Sequence, residues 1–327
     1  MKKVVLSGMR PSGPLHLGHW VGALSNWVRF QDEYECFFEI ATWHALTSEY
    51  QNAKEIKQWI SDIILDWLSV GLAPEKCVMF NQSEVKEHSE LHLLLSMIIP
   101  VPWLERVPTY KDQQQQISNR DLNTYGFLGY PVLQTSDIII YKAELVPVGE
   151  DQVSHVELAR EIVRRFNNFY GYVFPEPEAY LTPIPRLLGT DGRKMSKSYG
   201  NAIYLKDSSE EIEGKILPMV TDPKRKRKTD PGEPEDCPVF DYHKAFSNRE
   251  EIDWVMNGCR SAGIGCIDCK KVLIKNLNEF LNPVRERRLK FSIKPDLVYQ
   301  ILLEGASRAR ERAKITMEEV RERIGIR

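Results

Sequence analysis

Two lysines separated by Met-Ser stand at Lys194-Met195-Ser196-Lys197-Ser198, after Gly189-Thr190-Asp191-Gly192-Arg193. The glycines and the aspartate predict a loop there. A mobile loop with two ammonium groups suits a phosphate chain whose charge changes during reaction. Such a loop can tighten at the transition state and then open, whereas fixed lysines would hold reactant and product alike. Alone, Lys-x-x-Lys is more often a solvated basic loop. A second stretch, Pro11-Ser12-Gly13-Pro14-Leu15-His16-Leu17-Gly18-His19, shifts the balance. His16 and His19 can donate hydrogen bonds to phosphate oxygens without carrying a permanent charge. Gly18 has no Cβ, so a flat base can lie against the backbone. A third constellation is Cys237, Cys259, Cys266 and Cys269. Its Cys-x-x-Cys places two sulfurs within reach of one metal centre, and the other two complete a four-thiolate set. Zinc and a [4Fe-4S] cluster both fit such a set, and spacing does not choose between them.

These groups need a scaffold. At 327 residues the chain is long enough for two domains, with an ordinary 42% apolar and 28% charged composition. Net charge is −2, so nucleic-acid contact must come from local basic patches. No apolar run reaches the length of a membrane span and no signal peptide is recognisable, which predicts a cytoplasmic protein. Six cysteines are too sparse for a disulfide framework. Val4-Val5-Leu6, residues 36–41, Val78-Met79-Phe80 and Val146-Pro147-Val148 read as strands. Between them, residues 20–30, 56–68, 91–99, 127–141 and 151–169 carry helical patterns. Alternating strands and helices predict an α/β fold, a Rossmann-like parallel sheet with crossover helices. A first strand, a Gly-containing loop and a helix start at His16 match the general design for receiving phosphate. Residues 108–124 are polar and read as an exposed insertion, and the prolines from 175 to 185 as a connection. Beyond residue 200 the pattern turns mostly helical, over 210–217, 250–262, 271–291 and 295–323. The expected division is a catalytic domain 1–200, with a polar insertion at about 105–125, and a helical domain 201–327.

His16-Leu17-Gly18-His19 with Lys194 to Ser198, in that order and at that separation, resembles the class I aminoacyl-tRNA synthetases. Leu6-Ser7-Gly8-Met9-Arg10-Pro11-Ser12-Gly13, Leu104-Glu105-Arg106, the 130–141 segment, Val146 to Gln152 and His155 are similar to the bacterial tryptophanyl-tRNA synthetase family along essentially the whole chain. The resemblance implies ATP-dependent joining of tryptophan to tRNA(Trp) through an adenylate. Catalysis there means aligning a carboxylate for in-line attack and neutralising charge on the departing pyrophosphate. It further implies that Lys194 and Lys197, with Mg²⁺, meet the β- and γ-phosphates, and that Lys111 approaches the triphosphate. Met9, Arg10, Gly18, Gly149, Asp151, Met195 and Ser196 are the implied ATP contacts, Asp151 binding ribose hydroxyls. Leu6, His44, Tyr130, Gln134, Asp137 and Gln152 are the implied amino-acid contacts. Spacings of four and three place Tyr130, Gln134 and Asp137 on one helix face. The indole N–H is a donor needing a buried acceptor, a role Asp137 can fill. Many bacterial tryptophan enzymes carry Met where Gln134 stands, and a similar helix serves tyrosyl enzymes, so tyrosine specificity is the alternative. A non-catalytic tRNA-binding paralogue is the reading from another class, and intact His and Lys motifs speak against it. A subset of the family has a similar cysteine pattern and carries [4Fe-4S]. The cations at 224–228 are candidates for tRNA phosphates. The family also implies a homodimer, with 91–102 as a plausible interface.

Overall fold

A computed structural model describes residues 2–108, 121–181 and 187–326. Most of the polar insertion, with Lys111, lies outside them. Val4–Met9 (β1), Glu35–Ile40 (β2), Val78–Asn81 (β3), Leu145–Val148 (β4) and Glu178–Leu181 (β5) form one sheet in the order β3-β2-β1-β4-β5. All pairings are parallel. A parallel sheet is covered on both faces, so its strands must be apolar on both. Val4, Leu6, Phe37, Val78 and Phe80 face one core, and Val5, Met9, Cys36, Phe38 and Met79 the other. The chain order reverses between β1 and β4. The crevice beyond the carboxyl ends of two such strands is where α/β sheets receive ligands.

The main helices are Ser25–Glu33 (α1), Thr42–Glu49 (α2), Ala53–Val70 (α3), Glu87–Ser96 (α4), Tyr130–Ile139 (α5) and Val153–Tyr170 (α6). After residue 200 come Ser209–Ile216 (α7), Pro238–Phe246 (α8), Arg249–Arg260 (α9), Cys266–Ser292 (α10) and Pro295–Ile324 (α11). Ile56, Ile63, Ile64, Trp67 and Leu68 of α3 are buried, the face the periodicity predicts. That helix ends at Gly71, where φ of 107° gives the left-handed cap glycine favours.

Three local features differ from expectation. The helix predicted at 20–30 begins with a turn at Leu17–His19 and a π-helical turn at Trp20–Leu24. The pattern at 127–141 breaks between Leu128 and Tyr130, because Pro131 lacks an N–H and suits only the first turn of a new helix. The connection at 175–185 contains strand β5. It lies on the sheet edge, where flanking prolines forfeit no ladder bond.

Helices α10 and α11 pack back onto the first half of the chain, α10 against α3 and α11 against β3 and α4. At Gly305 the approach is so close that a Cβ would lie 1.8 Å from the Met79 carbonyl oxygen. Gly305→Ala must push α11 off β3, and is expected to cost about 1–3 kcal/mol or more, read from the shift in denaturant midpoint. Among the described residues, no helix is long and apolar enough to cross a membrane.

Candidate active site

The N-terminal signature follows β1. His16 and His19 are brought together, with ring centroids 3.8 Å apart. The His16 backbone N–H donates to His19 Nδ1 at 3.1 Å, which leaves the proton of a neutral His19 on Nε2. Burial, then the Lys197 charge, lowers His16 to about 4. Burial, then His16 and Lys197, puts His19 well below its ordinary value. Both are therefore neutral at pH 7. A Cβ on Gly18 would come within 3.0 Å of the His16 ring and 3.6 Å of Met195 Sδ.

The lysine stretch lies directly across from this signature. Lys197 Nζ donates to Ser12 Oγ at 3.4 Å, and buried Met195 packs into the core beneath Gly18. Lys194 is exposed. Asn201 organises the loop: its Oδ1 accepts from Ser196 N–H at 2.8 Å, and its Nδ2 donates to Asp191 Oδ1 at 2.7 Å and to the Lys194 carbonyl at 3.1 Å. The next strand-like residues clamp it down. Leu17 N–H donates to Ile203 O at 2.9 Å, and Leu205 N–H to Leu15 O at 3.0 Å. Beneath sits Asp66, fully buried on α3, which accepts from Leu15 N–H at 2.9 Å and from the Arg288 guanidinium on α10. Arg288 also bridges to Asp62 at 3.0 Å.

At the β1–β4 crevice lies a cavity of about 390 Å³. Leu6, Met9, Arg10, His19, His44, Tyr130, Gln134, Asp137, Gly149 and Gln152 all line it. The side chain of Asp151 lies outside the described set. The Tyr130 hydroxyl meets His155 Nε2 at 2.6 Å. Asp137 is buried under the cavity. His44 Nε2 donates to Oδ2 at 2.8 Å, His88 Nδ1 to Oδ1 at 2.6 Å, and Gln82 Nε2 to both at 2.8 and 2.9 Å. Burial opposes the charge, but the hydrogen bonds from His44 and His88 outweigh it and hold Asp137 well below the carboxylate range. Gln82, His88 and Tyr141, whose hydroxyl meets His88 Nε2 at 2.6 Å, were not foreseen. Nothing in their local spacing marks them.

The four cysteines converge around one pocket, with Arg225, Phe240, Val255 and Ile264. Cys269 Sγ lies 3.3 Å from His243 Nε2, and Arg225 Nη1 lies 3.7 Å from Cys259 Sγ. Burial and the neighbouring thiols raise Cys269 to about 12, so four thiolates there need a cationic centre to offset them. Zinc and a [4Fe-4S] cluster both remain compatible with such a donor set. The basic run beside it does not face outward as a block. Arg225 is buried, donating to Lys228 O and Ile264 O, while Lys226 and Arg227 are exposed.

The family of class I tRNA synthetases for tryptophan and tyrosine matches residues 2–282. The chain is 56% identical over 324 residues to the tryptophan–tRNA ligase of Thermotoga maritima, covering 98% of this chain and 99% of that protein. It is 45% identical to the tryptophan–tRNA ligase of Aquifex aeolicus, covering 98% and 99%. The crystal structure of the Campylobacter jejuni tryptophanyl-tRNA synthetase complexed with ADP and tryptophan superposes with a TM-score of 0.88 at 36% identity, covering 98% of this chain and 99% of that one.

Proposed function

The chain belongs to the class I tRNA synthetases for tryptophan and tyrosine, and from that premise we propose how its residues divide the work of a tryptophan–tRNA ligase. The enzyme joins L-tryptophan to tRNA(Trp) at the expense of ATP. The observation that carries the assignment of parts is the meeting of Lys197 with Ser12 across two neutral histidines, beside a cavity whose floor is polar. ATP lies along the signature, its base on Gly18 and its ribose near Gly149 and Asp151. His16 and His19 donate to its phosphates. Lys197 and Lys194, with Met195 and Ser196 shaping their loop, would neutralise the departing pyrophosphate, Mg²⁺ sharing that charge when bound, and Lys111 is assigned to the triphosphate by its family match alone. Met9 and Arg10 stand at the boundary between nucleotide and amino acid. Leu6, His44, Tyr130, Gln134 and Gln152 enclose tryptophan above the Asp137 floor. The chain's task is positioning and charge stabilisation rather than covalent catalysis.

Pyrophosphate exchange measured with each of the twenty amino acids tests this. Exchange with tryptophan is expected, and exchange with tyrosine in its place would overturn the specificity while leaving the reaction class.

Residues 1–200 act as the catalytic unit and 201–327 as the anticodon-reading unit. Cys237, Cys259, Cys266 and Cys269 would hold a [4Fe-4S] cluster, a reading supported by the convergence of four thiols on one pocket. Ligation by these cysteines would tie the starts of α8 and α10 to the end of α9 in one tRNA-docking body, outside the chemistry of aminoacylation. Anaerobically purified protein should be brown and contain iron, and Cys266→Ser should lose both. A colourless, zinc-containing protein would sink the cluster. The exposed Leu93, Met97 and Val101 supply an apolar surface on which a homodimer closes. The site of action is the cytoplasm.

A further inference from the structure

Behind the four cysteines a line of hydrogen bonds crosses three helices. It starts at Glu251 on α9, whose Oε2 accepts from Asn276 Nδ2 on α10 at 2.6 Å. That carboxylate fixes which end of the amide carries the N–H groups. The same nitrogen donates to Ser247 Oγ, at the end of α8, at 2.8 Å. Ser247 Oγ meets His243 Nδ1 at 2.7 Å, and His243 Nε2 lies 3.3 Å from Cys269 Sγ. His243 is fully buried, which favours a neutral ring with one N–H and one acceptor nitrogen. The direction of the bonds follows from the far end. Ser247 Oγ accepts from Asn276, and among the described residues its own O–H has one acceptor in reach, His243 Nδ1. The imidazole proton therefore stands on Nε2, aimed at the Cys269 sulfur. A neutral thiol gains little from such a donor, whereas a thiolate gains a charge-assisted hydrogen bond.

A similar contact reaches Cys259. Arg225 is buried, and its Nη2 donates to the Lys228 and Ile264 carbonyls at 2.9 and 2.6 Å. Nη1 lies 3.7 Å from Cys259 Sγ, and Nε is buried with no partner among the described residues. Gly232 leaves room for the meeting, since a Cβ there would lie 2.7 Å from Cys259 Sγ and 3.2 Å from Arg225 Cδ. Asp222 borders the same glycine, but its oxygens accept the Lys224 and Glu233 backbone N–H groups. A buried cation needs negative charge beside it, and ligated thiolates supply it. Resting on the reading that the four cysteines hold a metal centre, we propose that His243 is a positioning residue of that centre. Its Nε2–H is given to the Cys269 thiolate, Ser247 and Asn276 hold it in that tautomer, and Arg225 offsets charge at Cys259. Outer contacts of this kind favour the ligating form of the cysteine and so retention of the metal.

The test uses the full chain, purified anaerobically, as wild type, His243→Phe, His243→Gln and Ser247→Ala. Iron and zinc contents are measured, then the rate at which a chelator removes the metal. His243→Phe fills the space without a donor and should release metal roughly ten- to a hundred-fold faster. His243→Gln keeps an N–H near the position of Nε2 and should stay close to wild type. Ser247→Ala lets the imidazole proton move to Nδ1 and should fall between. Where the metal is a cluster, its reduction potential should become more negative in His243→Phe and return in His243→Gln, because an N–H donor favours the more negative reduced state. Equal release from the Phe and Gln variants, or release at the wild-type rate from both, would overturn the role and leave the metal centre standing. Should His243→Phe not fold, Ser247→Ala decides, and release at the wild-type rate overturns the proposal. A wild type with neither iron nor zinc removes the centre and the proposal with it. Zinc in place of iron removes the cluster alone, and His243 is then judged by zinc release.

Discussion

Lys197→Ala is expected to slow tryptophan-dependent pyrophosphate exchange by about 10²–10³-fold, while tryptophan binding in the absence of ATP is unchanged. The reason is where the ammonium sits. It reaches Ser12 in the N-terminal signature and flanks both histidines, yet it does not line the amino-acid cavity. Charge grows on the pyrophosphate only as its bond to the α-phosphate breaks, so a cation placed there lowers the barrier more than it tightens the ground state. Equal losses in rate and tryptophan affinity would make the loop a binding element only. The pH profile gives a second reading of the same group. Burial lowers the Lys197 ammonium to about 8, with Asp66 and Asp62 partly offsetting this. The cation is the working form, so kcat/KM for ATP should hold below pH 8 and decline as pH rises through it. In Lys197→Arg, which stays charged, that alkaline limb should vanish.

The largest stability effect is expected at Arg288. Arg288→Ala leaves the carboxylate of Asp66 buried without its cation, a loss of about 3–5 kcal/mol. Denaturant unfolding at pH 8 should show it in full. The pH dependence has a definite sign. Burial raises Asp66 to about 6, opposed by Arg288 and the Leu15 N–H, against an ordinary value near 4. The folded chain thus takes up that proton more readily than the unfolded one. Stability from the protonated form is fully present below about pH 4 and is lost as pH rises through 6. Without Arg288 the ionised form is costlier still, so the deficit of the variant should widen between pH 5 and 8. Adding Asp66→Asn to Arg288→Ala should recover part of it. An Arg288→Ala deficit that is flat with pH would mean that packing, not charge, is what the arginine supplies. Because Asp66 also anchors the Leu15 N–H just before His16, the single variant should raise KM for ATP as well.

These two residues mark the limit of what the sequence makes legible. His16, His19, Lys194 and Lys197 stand out because phosphate chemistry is written in short spacings within two loops. Strands β1, β2 and β3 stand out because a sheet covered on both faces needs unbroken apolar runs. Strand β5 is hidden among prolines that only an edge position tolerates. The π turn at Trp20–Leu24 has the composition of an ordinary helix and differs only in hydrogen bonding. Asp66 and Arg288 are 222 residues apart, and neither has a neighbour in the sequence that signals the other. Asp137 is legible as one face of a helix, while Gln82 and His88 come to it from other elements, and no local pattern records that meeting. Asn201 was missed for a different reason. Its partners are backbone atoms of the very loop it follows, and Gly189 yields to it, since a Cβ there would lie 2.2 Å from its Nδ2.

The return of α11 to β3 bears on how the chain is born. Ala306, Ala309, Ala313, Met317 and Val320 belong to the same core as Val4, Leu6, Phe37, Val78 and Phe80. Synthesis runs from the N-terminus, and domains generally fold in that order as they emerge. Here one wall of the first core is made of α11, which is synthesised long after strands β1 to β3. The nascent sheet must wait with one apolar face open until translation has passed Val320. During that interval the sheet carries an exposed apolar face, and closure of α11 over Met79 becomes a late event in folding.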